Sequence, residues 1–315
     1  MKSWEIAGAI VAALTATSAM AQVAMHTSIC DRNCLTKLLD RYLTAVVAHD
    51  PAKAPLALGF RQTENAVAIP QGDGLWQSAT GLGPLQRRYF DTVTGTAAYF
   101  GTLQLPGNET AVVSLRLHQT GGIIDEAEWH VARASDPGIT GEPGKTLFDV
   151  PTLLANPPAQ RMVPTSERLS RDALMAIANS YFDGITSENA KLIVAHPGCL
   201  RLENGAGPPP GTQGDNGAPP DCTSGQGRFG VSLVAGRRFP VVDEEAQVVM
   251  VIGTFMRKPG NPKRRNQFSE FFYIDHARIR QVYAAYFYAR PDLAVPNWLP
   301  YDGHFPLPAD FGTAK

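Results

Sequence analysis

The sequence predicts an α+β protein built from two tandem copies of one small domain. Residues 35–66 and 174–205 align without a gap, and the positions they share are Tyr42 and Tyr181, Glu64 and Glu203, and Asn65 and Asn204. Further matches follow downstream in the same order, which is the signature of an internal repeat. Within each copy a helical pattern comes first and β-rich segments follow, as in α+β folds.

The first copy begins with an amphipathic helix near Cys34. Its apolar residues recur at helical spacing, namely Leu35, Leu38, Leu39, Tyr42, Leu43 and Val46. A short helical stretch is predicted from Pro51 to Leu58. Alternating apolar and polar residues then predict strands that start at residues 60, 96, 111 and 123.

The second copy repeats this layout. Ser170 is placed to cap a helix that carries Leu174, Ile177, Tyr181 and Ile185. A short helical stretch at 189–194 and strands starting at 231, 246, 269 and 278 follow. Because strands rich in Val, Ile and Phe need burial on both faces, the two copies are predicted to pack together as a pseudo-dimer.

Composition divides the rest of the chain. Two segments rich in Gly and Pro read as a linker and an insertion, and the aromatic C-terminal tail is expected to cover a groove or a domain junction. The predicted organisation is a signal peptide at 1–21, a first domain at 22–134, a linker at 135–168, a second domain at 169–289 with an insertion at 205–229, and a tail at 290–315.

The N-terminus indicates export. Lys2 precedes an apolar run from Ile6 to Leu14, and Ala19-Met20-Ala21 forms a cleavage site. The alternative is a buried N-terminal helix. Neither this run nor any other is long enough to cross a bilayer, so the chain is predicted to be periplasmic or secreted, without a membrane span.

The four cysteines are expected to form two disulfides, since an even number after an export signal favours oxidation. Cys199 and Cys222 flank a Gly/Pro-rich loop that a bond between them would close. That leaves Cys30 paired with Cys34. A zinc site is the alternative, although no C-x-x-C pair and no His at ligand spacing supports it.

The formal net charge of −1 excludes a basic surface that would attract nucleic acid. Neither a nucleophile elbow nor a Walker motif nor an H-E-x-x-H motif is present, so neither a cofactor nor a metal is predicted.

Short motifs give the chain a family resemblance. Arg41-Tyr42-Leu43, His49-Asp50 and Thr63-Glu64-Asn65 resemble the NTF2/SnoaL-like superfamily. Together with Gly72-Asp73-Gly74-Leu75-Trp76 and the Cys-Asp-Arg-x-Cys start, they look like a secreted two-repeat branch with little assigned function. The resemblance implies two tandem cone-shaped domains, each a curved antiparallel sheet backed by helices around a deep pocket. Such pockets serve isomerases, dehydratases, hydrolases, lignin-fragment lyases and plain binding modules.

The resemblance also points to residues. Tyr42 matches a pocket tyrosine that can donate a hydrogen bond to an oxyanion, although Tyr181 repeats it and a core role is the alternative. Asn65 stands where isomerases keep an aspartate base, and Asn204 repeats it, so a structural role such as capping a turn competes with ligand binding. Trp76 is an aromatic candidate for ligand contact.

Ionisable residues on two predicted strands form the candidate catalytic set. The resemblance turns Glu128 and His130 towards the pocket, where they would act as a general acid/base pair opposite Tyr42. Arg116 and His118 lie on one face of the neighbouring strand and are candidates for substrate binding. The second copy has Tyr283 and Ala285 in place of Glu128 and His130, which predicts that the first copy carries the polar site. A solvated strand face is the alternative.

Three functions follow from these residues. The first is a cofactor-independent exported enzyme, a lyase or hydrolase, acting by acid/base chemistry on a small aromatic or apolar molecule. Aryl ether cleavage or dehydration would suit it. The second is a non-catalytic module that binds a small molecule. The third is a structural protein whose pockets are filled by side chains, and association with further copies of the chain is left open.

Overall fold

The computed structural model describes residues 30–208, 211–214, 218–225 and 230–290. The predicted signal peptide at 1–21, most of the tail at 290–315 and parts of the insertion at 205–229 lie outside this range. Within the described residues, no helix combines the length and the apolar character that a membrane crossing requires.

The first half of the chain (residues 30–132) contains one long helix followed by a sheet. Its elements are α1 (Arg32–Val47), β1 (Leu56–Glu64), β2 (Val67–Ile69), α2 (Leu75–Ser78), β3 (Gly81–Asp91), β4 (Thr96–Gln104), β5 (Thr110–Thr120) and β6 (Ile123–Ala132).

A linker with one short helix, α3 (Val150–Ala155), leads to the second half (residues 171–290). The elements of this half are α4 (Arg171–Thr186), β7 (Ala195–Glu203), β8 (Val231–Asp243), β9 (Val248–Arg257), β10 (Asn266–Asp275) and β11 (Arg278–Tyr288).

The strands form two mixed sheets. The first has the order β2-β1-β6-β5-β4-β3 and the second has the order β7-β11-β10-β9-β8. In each sheet the first long strand pairs in parallel with the last, β1 with β6 and β7 with β11. All other neighbouring strands are antiparallel.

The predicted fold class is therefore wrong. The sheets are mixed instead of antiparallel, and the described chain is mostly β, with helices as a minor component, so it does not form two helix-backed antiparallel cones. The second helical stretches predicted in each copy are three-residue 3₁₀ turns, at Pro51–Lys53 and Ala190–Leu192. The described residues instead form two sheet-dominated bodies.

Each long helix is fixed by a capping residue and an apolar stripe. The Asp31 carboxylate accepts a hydrogen bond from the Cys34 amide at 2.8 Å, and Ser170 accepts one from Ala173 at 3.4 Å, as predicted for that serine. The stripes of α1 and α4 pack on one face of each sheet, which we call the inner face. The opposite, outer faces of the two sheets pack against each other in a shared core.

The junction between the halves includes a reciprocal pair of aspartates. The Asp243 carboxylate, at the end of β8, accepts a hydrogen bond from the Phe90 amide at 2.9 Å, and the Asp91 carboxylate accepts one from Val242 at 2.9 Å. Each aspartate also pairs with an arginine of the helix in the other half. Arg32 is 2.8 Å from Asp243, and Arg171 is 2.7 Å from Asp91. This packing confirms the predicted pseudo-dimer arrangement.

Both predicted disulfides are present, Cys30–Cys34 with 5.2 Å between the Cα atoms and Cys199–Cys222 with 5.3 Å. None of the four thiols is left to bind zinc. The first bond ties the chain to the start of α1, and the second joins β7 to the insertion.

Candidate functional site

Tyr42 and Trp76 lie in the core of the first half. Their rings meet edge to face at 5.3 Å, and the Tyr42 hydroxyl accepts a hydrogen bond from the Trp129 indole at 3.3 Å. The Trp76 indole donates to the Gln62 side chain at 2.8 Å. Tyr42 is fully buried, and this burial raises the pKa of its hydroxyl. These aromatic side chains fill the space between α1 and the inner face of the sheet.

Glu128 and His130 were predicted to share one cavity with Tyr42. They lie instead on the outer face of the sheet, whereas Tyr42 packs on the inner face. Strand alternation places them opposite Trp129, and they face the second half. Arg238 donates a hydrogen bond to Glu128, and Ser269 lies 2.9 Å from the His130 ring nitrogen. Burial, with a smaller effect from the charge of Arg238, lowers the pKa of His130 to about 3.

Arg116 and His118 take part in local ion pairs. The buried Arg116 guanidinium donates to Glu126 at 2.8 Å, and Arg61 also pairs with Glu126. Two residues further along the strand, His118 lies 2.6 Å from the Asp125 carboxylate. The two residues therefore hold strands β5 and β6 together, and neither lines the cavity described below.

Asn65 has the structural role that the repeat suggested. Its backbone is left-handed, with φ of 50°. Its side-chain amide donates to the Val131 carbonyl at 2.9 Å and accepts from the Val131 amide at 2.8 Å, so it continues the pairing of β1 with β6. Asn204 makes the same two bonds to Tyr286.

The second half contains an open cavity of about 290 Å³ beside the inner face of its sheet. Arg201 and Glu203 of β7 and Tyr288 of β11 form its floor. The linker supplies one wall and the insertion another, and the lining residues from these segments and from the β9–β10 loop are Ile139, Lys145, Leu147, Thr212, Ser224, Gly225 and Lys263.

A narrower extension shares Arg201, Glu203 and Tyr288 with the main cavity and reaches Tyr181, Arg257 and Asn266. The Tyr181 hydroxyl accepts a hydrogen bond from Arg201 at 3.2 Å. The guanidinium of Arg201 also lies 3.6 Å from Glu203. Polar groups from α4, β7, β9 and β11 therefore converge at the deep end of the cavity.

Glu270 is the most unusual group near this deep end. It shares a face of β10 with Phe268 and Phe272, which belong to the inner core. Its carboxyl is buried, and Oε2 has no hydrogen-bond partner among the described residues. Burial, reinforced by the nearby charge of Glu203 and opposed by Arg201, raises the pKa of Glu270 to about 8.

Of the two inner faces described here, only that of the second half has this cluster of polar side chains. Comparison of the residues at equivalent positions in the two sheets explains why. Glu64 pairs with Trp129 in the first sheet, and Glu203 pairs with Ala284 in the second. Glu270 likewise pairs with Ala284 where Leu115 pairs with Trp129. Replacement of an indole by a methyl group leaves volume that polar side chains occupy.

The connection after β1 closes the first half. There the buried Leu75 and Trp76 of α2 cover the inner face, and the Leu75 amide donates to Glu64 at 2.9 Å. In the second half the insertion takes the place of α2, and its residues line the cavity instead of filling it. The matching Glu203 consequently faces the cavity.

The sequence prediction placed the polar site in the first copy. It did not include Arg201, Glu203 or Glu270, which lie in the second. Two signals in the sequence could have indicated them. Glu203 repeats Glu64, and Glu270 lies in a strand segment that is otherwise rich in aromatic residues, between Phe268 and Phe271. An ionisable residue inside such a strand is costly unless the fold has a use for it.

Comparisons with known proteins find one similar family and a similar solved structure. Residues 167–286 match a family described as a domain of unknown function, DUF8021. Among solved structures, a protein of unknown function with a cystatin-like fold from Methylobium petroleophilum PM1 is similar. It is 16% identical, the match covers 44% of this chain and 95% of that one, and the TM-score is 0.27. No curated protein sequence matches the chain significantly.

Proposed function

We propose that the second half binds a small molecule in its cavity and that the first half is a filled copy that supports it. The observation that carries this proposal is the contrast at matched positions. Trp129 and α2 fill the inner face of the first half, whereas Ala284 and the insertion leave a cavity of about 290 Å³ in the second. That volume lies near the lower end of the range for ligand pockets, about 300 Å³.

The protein is proposed to do this outside the cytoplasm. Two disulfides fit an extracellular protein, and the predicted signal peptide at 1–21 gives a route for export. Detection of the cleaved chain, starting at Gln22, in the periplasm or the medium would support this part of the proposal.

A blocking substitution tests the binding site. Leu147 lines the cavity from the linker and is only partly buried, so Leu147→Trp should obstruct the site without disturbing a core. We expect compounds found by ligand-observed NMR in a library of small aromatics, including aryl ethers and hydroxylated aromatics, to bind this variant at least about 10-fold more weakly.

Leu154→Trp is the matched control, because Leu154 is 39% exposed on α3 and lies outside the cavity lining. Hits should bind this control as they bind the wild type. Hits that bind both tryptophan variants equally well, or a library without hits, would contradict the proposed site.

An acid/base enzyme is the second candidate, favoured by the carboxyl pair Glu203 and Glu270. A carboxyl whose pKa is about 8 can act as a general acid near neutral pH. If a compound in the library is turned over, Glu203→Gln should slow its turnover by roughly 10²- to 10⁴-fold. Glu64→Gln, at the matched position in the first half, should have no effect on turnover. Equal effects of the two substitutions would assign both glutamates to stability alone.

A further inference from the structure

Cationic side chains outnumber carboxylates among the described residues that line the cavity. Four cationic side chains line the main cavity and its extension, namely Lys145, Arg201, Arg257 and Lys263. Among the residues that the structure describes, one carboxylate, Glu203, lines the site with them. The second carboxyl nearby, Glu270, is mostly protonated at neutral pH, because burial raises its pKa to about 8. The described lining residues therefore carry more positive than negative charge.

The cations are distributed along the depth of the site. Arg201 is buried at the deep end, where it also contacts the Tyr181 hydroxyl. Lys145 and Lys263 are exposed at the rim. The lining also includes the apolar side chains of Ile139 and Leu147 and the aromatic ring of Tyr288.

We propose that the ligand is a small organic anion that joins one carboxylate to a flat, apolar body the size of a single aromatic ring. This inference rests on the binding function proposed above and specifies its ligand. A guanidinium at the deep end is the group best suited to hold a planar carboxylate, and the tyrosine and aliphatic walls suit the ring. The lysines at the rim would attract the anion from solution.

Matched probes test the charge requirement. The full chain is titrated with benzoate, with its neutral analogue benzamide and with the cation benzylamine, by calorimetry at pH 7 and low salt. We expect benzoate to bind at least about 10-fold more tightly than benzamide, as a charge-assisted hydrogen bond would provide, and benzylamine to bind weakest. Inorganic phosphate, which lacks the apolar body, should not compete with benzoate.

Two substitutions locate the charge. Arg201→Gln should remove the preference for benzoate over benzamide. Because Arg201 is buried, Lys145→Gln provides a variant whose folding is not in question, and it should weaken benzoate by about 2- to 5-fold. Lys37→Gln, an exposed change on α1 in the other half, is the control and should leave the affinity unchanged.

The results separate the two proposals. Benzamide or benzylamine binding as tightly as benzoate, or phosphate displacing benzoate, would overturn the anion inference and leave the cavity as a binding site. Benzoate that fails to bind at about 10 mM, while other library compounds bind and are blocked by Leu147→Trp, would do the same. A library without hits would overturn both.

Discussion

A buried carboxyl costs stability when it ionises, and Glu270 is such a group. In the unfolded chain its pKa is near 4.5, whereas burial raises it to about 8 in the folded protein. Between these values the folded state holds a proton that the unfolded state has lost. Stability contributed by this group is therefore complete below pH 4.5 and declines as the pH rises to about 8.

We expect the free energy of unfolding to fall by about 2 kcal/mol between pH 6.5 and pH 8 because of Glu270. The measurement is urea unfolding over this interval for the wild type and for Glu270→Gln, whose amide cannot ionise. The difference between the two proteins isolates Glu270 from Glu203, Arg201, Arg257 and the other charged groups around it. Parallel pH profiles would show that Glu270 ionises as it does in water.

The interval is chosen because His130 acts in the opposite direction at lower pH. Its pKa falls from 6.5 in the unfolded chain to about 3 in the folded protein. Only the unfolded state gains a proton between these values, so the stability linked to His130 is lost as the pH falls below 6.5. The two effects nearly cancel between pH 4.5 and 6.5, so together these buried groups favour maximum stability in that interval.

The sequence analysis singled out Glu128, His130 and Asn65, but it did not predict which part of the fold surrounds each of them. Alternation along β6 correctly placed Glu128 and His130 on one face and Trp129 on the other. It could not show which face meets the helix, because a strand pattern is symmetric in this respect. The structural role of Asn65 was among the alternatives, since Asn204 repeats it.

At the scale of elements, the helices α1 and α4 and the closing strands β6 and β11 were predicted with small errors at their ends. The parallel direction of β1 and β7 relative to these closing strands was not predicted. Each pairs in parallel with a strand about sixty residues or more further along the chain, and periodicity carries no information on partners so distant.

The segment after the first strand decides whether each half is closed. In the first half, Gly74 begins a four-residue helix that brings Trp76 onto the inner face. In the second, a longer and Gly/Pro-rich segment runs past the same place. Composition identified this segment as an insertion, but it could not indicate that the insertion forms a cavity wall.

At the scale of the molecule, Asp91 and Asp243 connect the two halves, because each aspartate binds a backbone amide and an arginine of the other half. The Asp243 side chain is fully buried and accepts hydrogen bonds from the two terminal nitrogens of the Arg32 guanidinium, at 2.8 and 3.0 Å. We expect Asp243→Asn to lower the free energy of unfolding by about 3–5 kcal/mol, because it leaves a cation and an amide without their charged partner.

Asp91→Asn should have a similar effect, since Asp91 makes the matching contacts. Asp40→Asn is the control, because Asp40 pairs with Arg88 at a surface where its side chain is 49% exposed, and the loss should be below about 1 kcal/mol. Urea unfolding measures all three. A loss for Asp243→Asn no larger than that for Asp40→Asn would show that the shared apolar core alone joins the halves.

The linker between the halves determines where the second half can be cut from the chain without loss of its cavity. Ile139 accepts a backbone hydrogen bond from Arg264 at 2.8 Å, so this stretch is fastened to the second sheet, and it supplies three of the cavity-lining side chains. The segment that matches DUF8021 begins at residue 167 and does not include them. The segment that the family model matches is therefore smaller than the unit that encloses the cavity. A fragment excised at residue 167 would keep Arg201 and Glu203 but would lack one wall around them.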